Sequence, residues 1–407
     1  MHPATSSSLA ASLYASVRTR CSDARRAAAI SAACGAALQR STRMPHAGGM
    51  GEILIDEVPL PATLVDDPHA DDFVATVDIR NLVEEAGYGT VDVRVTPERL
   101  LGYLTDPFEP HRLFVARADG RIVARGLYET LADPDSTACW IDVRVHPDHR
   151  RRGVGTALAD HLEALARAEG RSHAIVYIVS PDGPGPRLPS PTGAGSLPAA
   201  NPEVRFLRRR GYRLEQVVRA SRLPLPLDAA ELAVRVRAAR ARSGDGYRVH
   251  RWEGPTPARF LDDVAVLLTR MSTDAPQSGL DEPEDVWTAE RVARHETHTT
   301  ADGAGLLTAA VEHLASSRLV GFTQLGLPAD RIRPVDQFDT LVLREHRGHA
   351  LGMLLKLENL AELASRHPGR PSVLTWNAEE NRHMLAVNEE IGFQPMGYEG
   401  AWRLDLD

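Results

Sequence analysis

The sequence predicts a mixed α/β protein of the α+β type, built from two similar domains, and three observations lead there. The same order of helices and strands runs once from residue 51 and again from residue 247. In each round a strand runs into a basic, small-residue loop that opens a helix, Arg150 to Gly155 and Arg347 to Gly352, 197 residues apart. At 407 residues the chain is too long for one ordinary core and suits two of common size.

Taken in order, residues 1–50 are rich in Ala, Ser and Arg, with Asp23 the sole acid before the first domain. They read as a disordered extension or a start placed too early, with a transit-like composition as the alternative and a short helix over Ala24–Leu38. The first domain is expected over 51–225. Ala70–Glu85 and Thr96–Thr105 read as helices. Arg112–Ala118 and Arg121–Leu131 alternate like strands about the turn Asp119-Gly120. Thr137–Val145 is a strand, Val154–Glu169 a helix with Leu158, Leu162 and Leu165 on one face, and Ala174–Val179 a short buried strand. A Pro/Gly/Ser-rich loop, Ser180–Asn201, is long enough to be functional or mobile, and is expected to cover this domain's acceptor side. A helix through Phe206 and a strand to Leu225 close the domain. Residues 226–246 read as a charged helical linker, and 247–407 repeat the pattern. The repeat has strands at Tyr247–Arg251, Leu306–Leu314, Ser317–Leu325, Gln337–Leu343 and Ser372–Asn377. Its helices are Pro257–Met271, Val286–Thr297, Leu351–Ser365 and Ala378–Ile391.

Composition excludes several classes. A net charge of −8 argues against general nucleic-acid binding, which needs a basic surface to displace counterions. No apolar run approaches the ~20 residues of a membrane helix. Three cysteines, Cys21, Cys34 and Cys139, offer no disulfide framework and fit a reducing, cytoplasmic setting.

The two loops align without a gap, Asp142–Thr156 on Asp339–Met353. A helix N-terminus leaves amides unpaired and carries roughly half a positive charge, so it favours an anion. Small residues let the backbone approach phosphate oxygens, and arginine adds charge-assisted bonds. Arg-x-x-Gly-x-Gly alone is weak. Here it follows a strand and precedes an amphipathic helix, twice. Downstream lie Asn377, Asn381, Met384, Asn388, Gly392 and Phe393 in the second copy, and Phe206 and Gly211-Tyr212 in the first. On these residues the chain resembles the GNAT superfamily of N-acyltransferases from residue ~51 to 407, and its tandem arrangement is similar to that of mycothiol synthases.

That resemblance implies a sheet in each domain whose central strands splay, and acetyl-CoA or another acyl-CoA as co-substrate. Val143 and Val145 in one copy, and Leu341, Val342 and Leu343 in the other, would then pair with pantetheine. Arg150, Arg151, Arg152, Gly153, Val154, Gly155 and Thr156 would cradle one pyrophosphate. Arg347, Gly348, His349, Ala350, Leu351, Gly352 and Met353 would cradle the other. Asn377 and Asn381 join the second set. One copy keeping the fold without the ligand is the alternative.

Direct transfer needs a neutral amine, an activated thioester and a proton for the departing thiolate. The tyrosine that often serves the last role in this superfamily is replaced by Leu207 and Asn388. Asn388 is expected to hydrogen-bond the thioester or thiolate, and Asp142 and Asp339 are candidate bases, with capping or salt-bridging as the alternative for both. His146, His149, His346 and His349 flank the cradles without a third ligand, so no metal is expected there. His295 and His298 read as helix-surface residues. Cys139 reads as a buried structural thiol. Lys356, the sole lysine, lies one turn past Gly352 and is expected to support the second cradle or an acid beneath it. The fuller downstream set favours the second domain as catalytic. The expected activity is acyl transfer to a primary amine of a small molecule, by a monomer or homodimer. An acyl-CoA sensor or scaffold, a peptide or protein acylase, and the mycothiol synthase-like activity that the tandem resemblance implies are the competing readings.

Overall fold

The computed structural model describes residues 42–44, 53–133, 135–274, 276–300 and 303–407. The readings made for the extension, Cys21, Cys34 and the Ala24–Leu38 helix lie outside them. The chain divides into two compact units. One holds the described residues up to Val179 with Phe206–Arg213 and Trp402–Asp407; the other holds Ser180–Arg205 and Leu214–Ala401.

In the first unit the sheet order is β1 (Thr42–Met44), β2 (Ile53–Val58), β3 (His111–Ala118), β4 (Arg121–Glu129), β5 (Ala138–Val145) and β6 (His173–Val179). All neighbours are antiparallel except β5 and β6. β2 was not anticipated, because only Ile53 and Ile55 alternate, Leu54 between them is half-buried, and the buried Val58 falls out of phase with them. The helices are α1 (Ala70–Tyr88), α2 (Pro97–Leu104) and α3 (Val154–Ala168). Thr96 caps α2 by accepting from the Arg99 amide at 3.3 Å. The predicted stripe of α3 is buried against β4 and β5, and full burial of a leucine such as Leu158 or Leu162 contributes about 1.5–3 kcal/mol. Gly126 lets the helix come this close, since a Cβ there would stand 3.0 Å from Leu162.

The insertion predicted as a loop contains a small hairpin, β7 (Arg187–Pro189) with β8 (Ser196–Pro198), followed by α4 (Pro202–Arg209) and β9 (Arg213–Pro224). Ser180–Arg205 counts with the second unit, not the first. Ser190 Oγ donates to the Glu215 carbonyl at 3.3 Å. Gly195, at φ 77°, leaves so little room that a Cβ would lie 2.8 Å from Glu379 and 2.9 Å from Val217. The insertion thus packs beside Glu379 and Val217 within the second unit.

The second unit continues with α5 (Ala229–Ser243), β10 (Tyr247–Glu253), α6 (Leu261–Asp274), α7 (Ala289–Thr299), β11 (Gly305–His313) and β12 (Arg318–Leu327). It is completed by β13 (Val335–Val342), α8 (Leu351–Arg366), β14 (Ser372–Ala378), α9 (Arg382–Ile391) and β15 (Gln394–Asp405). The sheet order is β9-β14-β13-β12-β11-β10. The segment read as a linker is the helix α5, capped by Asp228 and packed on α8, with Leu232 and Ala239 in one core with Leu354, Leu357 and Leu360. On the opposite side α6 sets Val264, Leu267 and Leu268 with Phe322 and Leu341. α9 starts four residues later than read, because Asn381 accepts from the Met384 amide at 3.2 Å and so caps the helix.

Candidate active site

In both units the parallel pair opens soon after it begins. β5 and β6 pair only from Ala138 to Trp140, and β13 and β14 only at Val335 and Asp336. Val143 and Val145, and Leu341 and Val342 with Leu343 just past the strand end, therefore lie on the stretches where the strands have parted. The two openings differ in one respect. β5 runs in unbroken register on β4, Asp142 opposite Leu127, whereas β13 carries an irregularity between its Gln337 and Thr340 pairings. Asp339 stands inside that bulge, a device that re-aims a side chain.

Each strand then turns through a 3-10 segment into its cradle. Arg150 Nε donates to the Val145 carbonyl at 3.2 Å, and Arg347 Nε to the Val342 carbonyl at 2.9 Å. Both loops place two residues in the left-handed region. These are Arg151 (φ 62°) and Gly153 (φ 79°) in one, Gly348 (φ 86°) and Ala350 (φ 54°) in the other. The backbone is the same and the glycine has changed places. Such a turn at a helix N-terminus points successive amides at one spot and suits a pyrophosphate. Arg151, Arg152, Gly153 and Thr156 are exposed in the first, as are Gly348 and His349 in the second, while Val154, Leu351 and Met353 anchor the helices inside. Gly155 and Gly352 are half-buried. The charges differ: Arg347 and Arg344 both reach Asp274, at 2.6 and 3.1 Å, whereas Arg150 has no carboxylate partner among the described residues.

The candidate bases have opposite surroundings. Asp142 Oδ1 lies 2.5 Å from Arg144 Nε, Asp142 Oδ2 3.8 Å from Arg125, and Arg144 also reaches Glu84 at 2.8 Å. Burial pulls the Arg125 guanidinium down to about 10 against the opposing field of Asp142. At the places matching Arg125 and Arg144 the second unit has Phe322 and Leu341, both in the apolar cluster under α6. Asp339 has no ion pair among the described residues. Although its surface is partly exposed, desolvation alone pushes its carboxyl up to about 6.

Asn388 donates from Nδ2 to Asn377 Oδ1 at 2.6 Å. This leaves Asn377 Nδ2 and Asn388 Oδ1 buried with no hydrogen-bond partner among the described residues, one donor and one acceptor open to a ligand. Asn381 instead serves as the α9 cap. In the first unit Leu207 is an apolar core residue.

Other readings fall out differently. Lys356 is 2% exposed, and its ammonium lies 5.7 Å from the Phe393 ring centroid. No acid lies beneath it among the described residues, and burial pulls it down to about 7. The Cys139 thiol is buried, pushed up to about 12, and directed at the His173 carbonyl. His346 Nδ1 lies 3.0 Å from the Tyr247 hydroxyl, and His295 packs edge-on to Trp287. No helix among the described residues is long and apolar enough to cross a membrane.

Comparison with known proteins agrees with this layout. The acetyltransferase (GNAT) family matches residues 77–184. Mycothiol acetyltransferase of Mycobacterium sp. (strain JLS) is 27% identical over 285 residues, covering 69% of this chain and 79% of the relative. The same-named protein of Thermomonospora curvata is 29% identical over 262 residues, covering 64% and 72%. A tandem GNAT protein from the clavulanic acid biosynthesis pathway shares the fold, with a TM-score of 0.63 at 24% identity, over 87% of this chain and 99% of that one.

Proposed function

Given that the chain is a tandem GNAT protein and an N-acetyltransferase, we propose that it moves the acetyl group of acetyl-CoA to a primary amine of a small molecule, with the chemistry in the second unit. The observation that carries this reading is Asp339, a carboxylate set in a bulge beside the strand opening, with no cationic partner among the described residues and a pKa near 6. A carboxyl so poised is mostly ionised at neutral pH and still basic enough to take a proton.

In the proposed step Asp339 accepts a proton from the acceptor ammonium, directly or through water. The freed amine attacks the thioester carbonyl, the C–N bond forms, and the C–S bond breaks. The open Asn377 amide group would donate to the thioester oxygen as negative charge gathers there. As the C–S bond breaks the nitrogen sheds its second proton to water, and the thiolate, a stable anion because a free thiol's pKa is about 8.5, takes up a proton from the same water, so that the amide and free CoA thiol leave together. The mycothiol acetyltransferase relatives support a small-molecule acceptor, and a mycothiol precursor amine belongs in the first panel.

Thiol release from acetyl-CoA against an amine panel tests the reading, using wild type, Gly155→Trp and Gly352→Trp. Turnover should vanish with the second cradle and persist with the first. Loss only with Gly155→Trp would move the chemistry to the first unit. Tight CoA binding with no turnover on any amine would favour a sensor.

A further inference from the structure

We propose that the first unit holds a divalent transition-metal ion, of which zinc is the type, on Glu109, His111 and Glu129. These residues lie at the end of the sheet where β5 and β6 are still paired, since Glu129 is the register partner of Trp140. The cradle is at the other end of β5. Two strand ends and the turn between α2 and β3 meet here, His111 standing directly opposite Glu129 across the β3–β4 pair.

The cluster offers one ligand atom from each residue, and these atoms all lie within 4.8 Å of one another. Glu109 is 1% exposed and Glu129 5%, so two carboxylates are brought together away from water. His111 is the independent sign of a ligand. Its side chain is fully buried, and neither ring nitrogen has a hydrogen-bond partner among the described residues. Nε2 stands 3.3 Å from Glu129 Oε2, outside hydrogen-bond geometry but close to the separation of two donors bound to one ion. Tyr103 packs its ring 4.9 Å from His111 and donates its hydroxyl to Glu129 Oε2 at 3.2 Å. Such a bond fixes the orientation of a ligating carboxylate. One imidazole and two carboxylates suit zinc, manganese or ferrous iron, and a water completes the set. Placed away from the cradle, the ion would pin the strand ends rather than take part in transfer.

The test uses the full-length, tag-free protein. After chelation and dialysis, calorimetric titration with zinc should give one tight site per chain. Saturating zinc at ~100 times the dissociation constant should raise Tm by roughly 5–10 °C. Glu129→Gln should weaken binding by more than the ~10–100-fold lost with an orienting partner, and abolish the Tm response. His346→Ala/His349→Ala should bind as wild type, which separates this site from the histidines near the second cradle. If Glu129→Gln fails to fold, cobalt added to wild type should give the visible bands of a nitrogen–oxygen site. No stoichiometric binding of zinc, manganese or ferrous iron would overturn the assignment. So would unchanged affinity in Glu129→Gln, or wild-type binding lost with the His346/His349 pair.

Discussion

Asp142 and Asp339 occupy matching strand positions in the two units. The first lies in a regular ladder, tied to Arg144 and Arg125, with Glu84 completing the group. The second lies in a bulge, where the matching neighbours are Phe322 and Leu341 and the carboxyl rises to about 6. One pair of substitutions thus divides the copies: two arginines surround the first acid with counter-charge, and two apolar residues leave the second without it, as the proposed base requires. The cradles divide in the opposite sense, since the first carries three arginines and the second spends Arg347 on Asp274.

The sharpest way to break this comparison is to neutralise each acid in turn. Asp339→Asn should lower kcat by about 10²–10⁴, the usual worth of a positioned base. In wild type kcat/KM should rise tenfold per pH unit below about 6 and level off above it, because the carboxylate is the active form. The linked stability effect has the opposite sign. A carboxyl raised from 3.8 to about 6 contributes stability that is lost as pH rises through that window, so Asp339→Asn should melt higher than wild type above pH 6. A variant with full turnover and an unchanged profile would remove Asp339 from the mechanism.

Asp142→Asn should instead act on stability. Removing one partner from a buried ion group costs ~3–5 kcal/mol, and the low end applies because its side chain is 24% exposed. Denaturant unfolding with kcat measured on the surviving fold checks this. A large fall in kcat at unchanged stability would reverse the assignment of the two units.

A smaller effect sharpens the contrast between cradles. Asp274→Asn removes the carboxylate that holds Arg347 and Arg344. The second cradle should then bind CoA a few-fold more tightly, by the ~1 kcal/mol typical of a partly exposed ion pair. Calorimetry with Gly155→Trp blocking the first cradle isolates the effect.

How much of this was legible in the sequence depends on the range of the interaction. The cradles were legible because strand, small residues and helix are contiguous, and each αL position sits within a few residues of its arginine. The order of most elements followed from local periodicity. What separates Asp142 from Asp339 was not legible, because it is set by residues on the neighbouring strand and by Glu84 on α1, far away in sequence. Lys356 was noticed for its rarity, but its surroundings come from α8 packing against Phe393. Glu109, His111 and Glu129 looked unremarkable until a hairpin brought the last two opposite each other. The destination of the insertion was likewise hidden, since nothing local in Ser190 or Gly195 names Glu215 or Glu379 as neighbours.

The smallest effect tests the claim that both cradles share one backbone. Arg151 at φ 62° and Ala350 at φ 54° each hold a side chain in the left-handed region, where an ordinary residue loses roughly 1–2 kcal/mol and glycine very little. Part of that gain is offset by the greater freedom of glycine in the unfolded chain, ~0.4–1 kcal/mol. Ala350→Gly should therefore stabilise the second unit by several tenths of a kcal/mol. Arg151→Gly should gain as much in backbone energy while losing the proposed phosphate contact. CoA affinity should therefore fall in Arg151→Gly and hold in Ala350→Gly, although both melt slightly higher. If Ala350→Gly melts lower than wild type, the left-handed turn is not the shared geometry and the two loops do not form the same cradle.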